Sequence, residues 1–432
     1  MTPEELKAAG VTMVELSFVD NAGITRVKTV PLDRLPVAVE RGVGVSPCFD
    51  SFGSDDVMVA GHYLGGPDGD LRLVPDTTRL VALAAQPGWA WAPANKMTQD
   101  GNAFVSCQRA FAARQVAALA EHGLAVLAAY EHEWILGRAD ADGFEPAFHG
   151  PAYGQVRLEQ VAGYAAGLVA DLTAQGVTVE QFHPEYALAQ LEISTSPGDP
   201  VAAADDAVLV RHSIRARSLT HGWRATFAPS IDLDGAGSGA HLHLSVHDDD
   251  GTQMSGGDGP FGLRPAGQAF LAGVLRELPA LVAIGAGHPV SFLRLQPSRW
   301  AGIWQAWGHE TRETAVRLVT GPSANAEVKC FDATANPYLL IGAVLAAGRA
   351  GVAEELRLPP AVTGDPATGS ADVPRLPESA AEAATALARS AVLAEALGPE
   401  LHDTVITVRR AEAERCAELD PVTLTSAVRW RW

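Results

Sequence analysis

Six side chains of the metal-binding type stand at short spacings in the middle of this 432-residue chain: Glu131 and Glu133, Glu185 and Glu192, His241, and Glu327. Five carboxylates and one imidazole, with no thiolate among them, make a donor set for a hard divalent cation of the Mg²⁺ or Mn²⁺ type. Such ions commonly hold nucleotide phosphates and neutralise charge during phosphoryl transfer. The chemistry the set suggests is bond making or breaking at the expense of ATP.

The elements that must position these groups read as four strands. Side chains alternate across a strand. In Tyr130–Leu136, Glu131 and Glu133 share one face. In Leu191–Ser194, Glu192 lies opposite Leu191 and Ile193. In His241–Val246, His241, His243 and Ser245 share a face, and in Asn325–Cys330 so do Asn325, Glu327 and Lys329. Each strand thus has an apolar face that can pack on helices and a polar face that is costly to bury without partners. Joined in one sheet, the polar faces converge on a shared cavity, where crowded carboxylates repel and metal ions are the natural counter-charge. The bland alternative is the solvated side of an antiparallel sheet. Four strands that all carry ligand-type residues weigh against it.

The rest of the chain bounds the class. Its length allows two or three domains. A net charge of −19 argues against nucleic acid or an anionic membrane as main partner, although solubility alone accounts for such a charge. Cys48, Cys107, Cys330 and Cys416 show no CxxC spacing and read as reduced thiols of a cytoplasmic protein. The start, MTPEELKAAG, lacks the pattern of a secretory signal, and no apolar run is long enough to span a bilayer. The first hundred residues are β-rich, with Asp20-Asn21-Ala22-Gly23 as a hairpin signal between Val11–Val19 and Thr25–Val30. The Pro- and Trp-rich stretch 86–101 reads as a boundary, giving domains 1–101 and 102–432. Helices are expected at Gln108–His122, Leu158–Gln175, Asp205–Thr220, Ala266–Ile284, Asn336–Leu356, Ser379–Leu397 and Leu401–Leu419.

The motifs together resemble one family. Glu131-His132-Glu133 is followed by His183-Pro184-Glu185 and Gln190-Leu191-Glu192, then by Gly237-Ser238-Gly239-Ala240-His241-Leu242-His243. Ser291-Phe292-Leu293-Arg294-Leu295, Arg312 with Arg317, and Glu327-Val328-Lys329 running into Asp332-Ala333-Thr334-Ala335-Asn336-Pro337 complete the order. Over nearly its whole length the chain resembles glutamine synthetase, in the branch of γ-glutamyl-amine ligases. The resemblance implies an α+β fold, with an N-terminal β-grasp domain and a large catalytic domain whose curved antiparallel sheet is packed by helices. It implies a homododecamer of stacked rings with sites between subunits, and glutamate, an amine and ATP as substrates. It implies two or three Mg²⁺ or Mn²⁺ ions per site, one held by Glu133, Glu185 and Glu192, another by Glu131, His241 and Glu327. Arg294 would bind the acid's carboxylate, Gly237 would let backbone approach it, and Arg312, Arg317 and His243 would attend the phosphates. Asp50 resembles the residue that attracts and deprotonates the amine. ATP would phosphorylate the γ-carboxylate, and the amine would displace phosphate to form an amide.

Three departures bear on the substrate. Trp300 stands where ammonia-using members carry a flap glutamate, six residues after the Arg294 position. An aromatic cannot accept an ammonium proton, but it can line an apolar pocket or stack on a cation, as can Trp304 and Trp307 nearby. Lys329 stands where the family usually has arginine, in a chain with only four lysines among 32 basic residues. Asn325 and Ala236 replace a basic residue and an asparagine. The leading expectation is a γ-glutamyl-amide ligase using an organic amine, with a faint preference for a small monoamine. A true glutamine synthetase and a catalytically weak nucleotide- or amine-binding regulator are the alternatives.

Overall fold

The structure, a computed structural model, describes residues 1–233, 235–368 and 373–432. The N-terminal part begins with helix α1 (Pro3–Ala8), whose Thr2 and Glu5 form a reciprocal capping box. Its strands are β1 (Met13–Val19), β2 (Thr25–Pro31), β3 (Val43–Val45), β4 (Leu71–Pro75), β5 (Val81–Ala82) and β6 (Trp89–Met97), with α2 (Leu35–Arg41) between β2 and β3. They form one sheet in the order β2-β1-β6-β4-β3, with β5 also paired to β6. The hairpin between β1 and β2 is the expected one, and its tip is held by Asp20, whose Oδ1 accepts the N–H of Ala22 and of Ile24 (both 2.9 Å).

The sheet corrects one sequence reading. The stretch taken as a boundary contains β6, the strand at the centre of this sheet, parallel to β1 and antiparallel to β4. Ala90, Ala92 and Ala94 point into the same small core as Val14, Leu16 and Leu73, while Trp91 reaches the larger core. Pro93 is tolerated there although it cannot donate to a ladder.

The larger part holds α3 (Gln108–Ala120), β7 (Ala125–Arg138), α4 (Gln155–Ala174), β8 (Val179–Pro184), β9 (Gln190–Thr195), α5 (Pro200–Leu219) and β10 (Trp223–Thr226). It continues through β11 (Leu242–Asp248), β12 (Gly251–Thr252), α6 (Pro265–Gly285), the short α7 (Ser291–Arg294), β13 (Trp304–His309), β14 (Thr314–Val319) and β15 (Asn325–Val328). Four helices follow: α8 (Pro337–Ala353), α9 (Ala380–Arg389), α10 (Ala391–Cys416) and α11 (Pro421–Val428). The sheet order is β13-β14-β15-β11-β7-β9-β8, with β10 on β7 and β12 on β11. All pairings are antiparallel except β13 with β14. This is the expected two-domain architecture.

Helices cover the apolar face of the sheet. Helices α6 and α8 cross closely, because Gly273 and Gly351 leave no room for a side chain: a Cβ on Gly273 would lie 2.2 Å from the Ala347 carbonyl oxygen. Among the described residues α6 alone is both long and apolar enough to cross a membrane, and most of it is buried in the core. The C-terminal helices divide differently from the sequence reading. Ser390 ends α9 and caps α10, which adds a division inside the first expected helix, while the expected break before Leu401 is present as a kink in α10 at Gly398 (φ +74°, ψ 165°), followed by Pro399.

Candidate active site

Strand β7 is the spine of the site. Its Glu133 pairs in register with Glu192 of β9, which pairs in turn with His183 of β8. On the other side, the N–H of Glu131 donates to the His241 carbonyl (3.0 Å). His243 of β11 is opposite Glu327 of β15, which is opposite Arg317 of β14. Antiparallel register and the period of two therefore bring residues almost 200 positions apart onto one face.

Two clusters result. Glu131, His243 and Glu327 offer ligand atoms that all lie within 4.8 Å of one another, and so do His183, Glu185 and Glu192. His241 sits between the carboxylates, with Nδ1 3.1 Å from Glu131 and 3.2 Å from Glu327, and Nε2 3.6 Å from Glu133. All six expected ligands are thus in one place, but each cluster gains a histidine. His243, expected near the phosphates, lies 3.1 Å from Glu131. His183 was not expected as a ligand and lies 3.2 Å from Glu185 and 3.7 Å from Glu192. The signal was available: His183 stands two residues before Glu185, near the end of β8. Other groups fix the carboxylates. Glu133 accepts from the Gln190 amide and the Gly239 N–H (both 2.9 Å), and Glu185 accepts from the Tyr153 hydroxyl (2.8 Å).

The electrostatics are those of a site that wants cations. Burial, then repulsion from Glu133, Glu131 and Glu185, pushes the Glu192 carboxyl far above the usual carboxylate range. Burial would also raise Glu131, but His241 and His243 hold it below its ordinary value. Lys329 and the same histidines do this for Glu327 against its burial. A carboxyl that cannot ionise beside its neighbours is what a divalent ion relieves. Oxygen donors with imidazole fit Mg²⁺ or Mn²⁺, and Glu131, Glu133, Glu185, Glu192, His241 and Glu327, joined by His183 and His243, are the residues that would hold them.

Cationic side chains rim this face. Arg294, at the end of α7, is buried and donates to the carbonyls of Lys329 (3.0 Å) and Phe331 (3.3 Å). Lys329 is buried too, with Nζ 2.8 Å from Glu327. Arg317 bridges Glu327 (3.3 Å) and Glu310 (2.5 Å). Asn325 Oδ1 accepts from His243 Nδ1 (2.9 Å). Gly237 (φ +80°) lies against Arg294, and a Cβ there would stand 2.4 Å from the Pro229 carbonyl oxygen.

Arg312 is exposed, with its guanidinium 5.9 Å from the Trp300 ring centre. Trp300 is 55 % exposed and has φ +56°, so it is not a core tryptophan in this chain. Trp307 does not line the site: it is buried, and its indole N–H donates to Pro359 (2.8 Å). Asp50 is buried. Its carboxylate is shut away at the domain junction, paired with Lys96 Nζ (2.6 Å to Oδ1) and accepting from Gln108 (3.0 Å).

The comparisons with known proteins agree with this geometry. The profile of the glutamine synthetase N-terminal domain matches residues 2–103, and that of the glutamine synthetase catalytic domain matches residues 105–424. The γ-glutamylpolyamine synthetase of Streptomyces coelicolor is 50% identical over 443 residues, covering 99% of this chain and 95% of that protein. A glutamate–isopropylamine ligase of a Pseudomonas species is 26% identical, covering 90% and 88%. A solved structure described as a novel glutamine synthase homolog superimposes with a TM-score of 0.88 at 30% identity, over 98% and 99% of the two chains. The complex of GmaS with ADP superimposes with a TM-score of 0.86 at 25% identity, over 97% of each.

Proposed function

Because the chain belongs to the glutamine synthetase family, we propose that it couples glutamate to an organic amine of the diamine or polyamine class. The reaction class is that of an ATP-dependent carbon–nitrogen ligase that forms a γ-glutamyl amide. The observation that carries the reading is the completeness of the site face. Every ligand-type residue that the sequence offered converges there, beside Arg294, Arg317 and Lys329.

These residues divide the work. Divalent ions bound to the two clusters would polarise phosphate oxygens and offset the charge of triphosphate and carboxylate. Arg317 presents a fork suited to a phosphoryl group, and Arg294 a buried fork suited to a carboxylate. Lys329, beside Glu327, adds a point charge where acid and phosphate meet. Trp300 offers an apolar surface at the flap where ammonia-using relatives are expected to carry a carboxylate, which supports a larger amine. The Streptomyces relative is a polyamine enzyme by name, and this favours a polyamine over the small monoamine that Trp300 alone suggested. Assembly into stacked rings with sites between subunits, and a cytoplasmic setting that supplies ATP and keeps thiols reduced, belong to the same proposal. The four cysteines are unpaired in the chain.

Phosphate release from ATP with Mg²⁺ and glutamate, measured across ammonia, monoamines, diamines and polyamines, tests the reading. Turnover with diamines or polyamines is expected. Turnover with ammonia alone would make the protein a glutamine synthetase despite Trp300.

A further inference from the structure

Glu313 immediately precedes β14 and is hydrogen-bonded to the backbone of the segment around Trp300. A Cβ on Gly302 would stand 3.0 Å from Lys329 Cβ and 3.1 Å from Ala315 Cα. The Lys329 N–H donates to the carbonyl of Ala315 (3.0 Å), two residues after Glu313, which puts Glu313 next to the site at the end bounded by the Trp300 segment. Glu313 is 6 % exposed. Its Oε1 accepts the N–H of Trp300 (3.0 Å), while its Oε2 is closed to solvent and has no hydrogen-bond partner among the described residues.

A buried carboxylate oxygen without a partner is expensive. Burial, with Asp365 adding, raises this carboxyl, and the N–H of Trp300 with the charge of Lys329 pulls it down. The cover over it is a short segment in an uncommon conformation, with left-handed φ at Ser298 (+58°) and at Trp300 (+56°) and an indole that projects into solvent. Non-glycine residues hold such angles at a cost, and segments that do so tend to sit at clamps and switches. Beneath that segment, Oε2 is an acceptor with nothing to accept from among the described residues.

We propose that Glu313 forms the recognition subsite for the second, non-reacting ammonium group of a diamine or polyamine substrate. The inference rests on the reading of the protein as an organic-amine ligase and deepens it. The attacking nitrogen must be neutral to reach a carbonyl carbon. A carboxyl group with an unpaired oxygen is therefore best used on the other nitrogen, which stays protonated and completes the pairing that Oε2 lacks. The aliphatic linker then lies along Trp300.

The test compares 1,5-diaminopentane with n-pentylamine, which differ only in the distal ammonium. Glu313→Gln keeps an oxygen to accept the Trp300 N–H and removes the charge. The ratio of kcat/KM for the diamine to that for the monoamine is expected to fall by about 10- to 100-fold in E313Q, the range of one charge-assisted hydrogen bond. The loss should appear in KM for the diamine, with the monoamine as internal reference for folded enzyme. A ratio that survives E313Q overturns the proposal. So does a Glu313→Ala variant that loses both amines equally while E313Q loses neither, because Glu313 would then only anchor Trp300. Wild-type enzyme that uses ammonia alone overturns the parent reading, and this one with it. Diamine turnover whose preference ignores Glu313 overturns this one alone.

Discussion

Replacing Asp50 by alanine separates two roles for that carboxylate. The resemblance in sequence casts it as the group that deprotonates the amine, but in the structure it is the buried partner of Lys96. The two side chains are 1 % and 3 % exposed, and Lys96 Nζ lies within hydrogen-bond reach of both carboxylate oxygens. Gln108 would also lose its 3.0 Å bond to Oδ1, while keeping its 2.7 Å bond to Asn21. Removing one member of a buried pair leaves a lone charge, which costs about 3–5 kcal/mol. Replacing both by apolar residues of similar volume, as in the double variant Asp50→Leu with Lys96→Met, should return stability to within about 1–2 kcal/mol of wild type. Hydrogen exchange across β6 and α3, which carry Lys96 and Gln108, reads the local loss. A double-mutant cycle on those values isolates the coupling. The reasoning is refuted if D50A keeps stability within about 1 kcal/mol and still abolishes amide formation. The carboxylate would then be acting on the amine.

Three further outcomes follow from the site and its surroundings. Mg²⁺ at about 100 times its Kd should stabilise the folded chain by about 2.7 kcal/mol, seen as a rise in melting temperature over a chelated sample and absent in a Glu185→Ala, Glu192→Ala double variant; equal melting of all three samples would discard the metal assignment. Gly239→Ala puts a Cβ 2.5 Å from His241 Nε2 and 2.7 Å from an Arg294 guanidinium nitrogen, so kcat/KM for glutamate should fall by about 10- to 100-fold with thermal stability nearly kept; an unchanged kcat/KM would show that Arg294 does not hold the acid. Burial raises the Glu15 carboxyl to about 7, so the folded state binds this proton more tightly than the unfolded one. The associated stability is fully present below about pH 4.5 and is lost as pH rises through about 7, a change of about 3 kcal/mol. Denaturant midpoints from pH 5 to 8 should therefore slope down more steeply in wild type than in Glu15→Gln, and parallel slopes would contradict the assignment.

What the sequence disclosed about this site, and what it hid, divides along one physical line. Alternation within a strand is local, so the faces carrying Glu131 and Glu133, His241 and His243, and Glu327 and Lys329 were legible before any pairing was known. Which strands lie together is not local, so the meeting of these faces was conditional on the strands joining one sheet, with metal ions then the natural counter-charge for the crowded carboxylates. The failures are of the other kind. Nothing near Asp50 announces Lys96, 46 residues on, as its partner. The strand that carries Lys96 was itself hidden, because Pro93 and the small or aromatic residues around it read as a linker until β1 and β4 are seen on either side. Trp300 could be recognised as a substitution, but its left-handed backbone and the carboxylate hydrogen-bonded to it are properties of the fold. A replaced flap residue says only that ammonia has lost its partner. The unpaired oxygen of Glu313 beneath it says what charge the replacement substrate must bring.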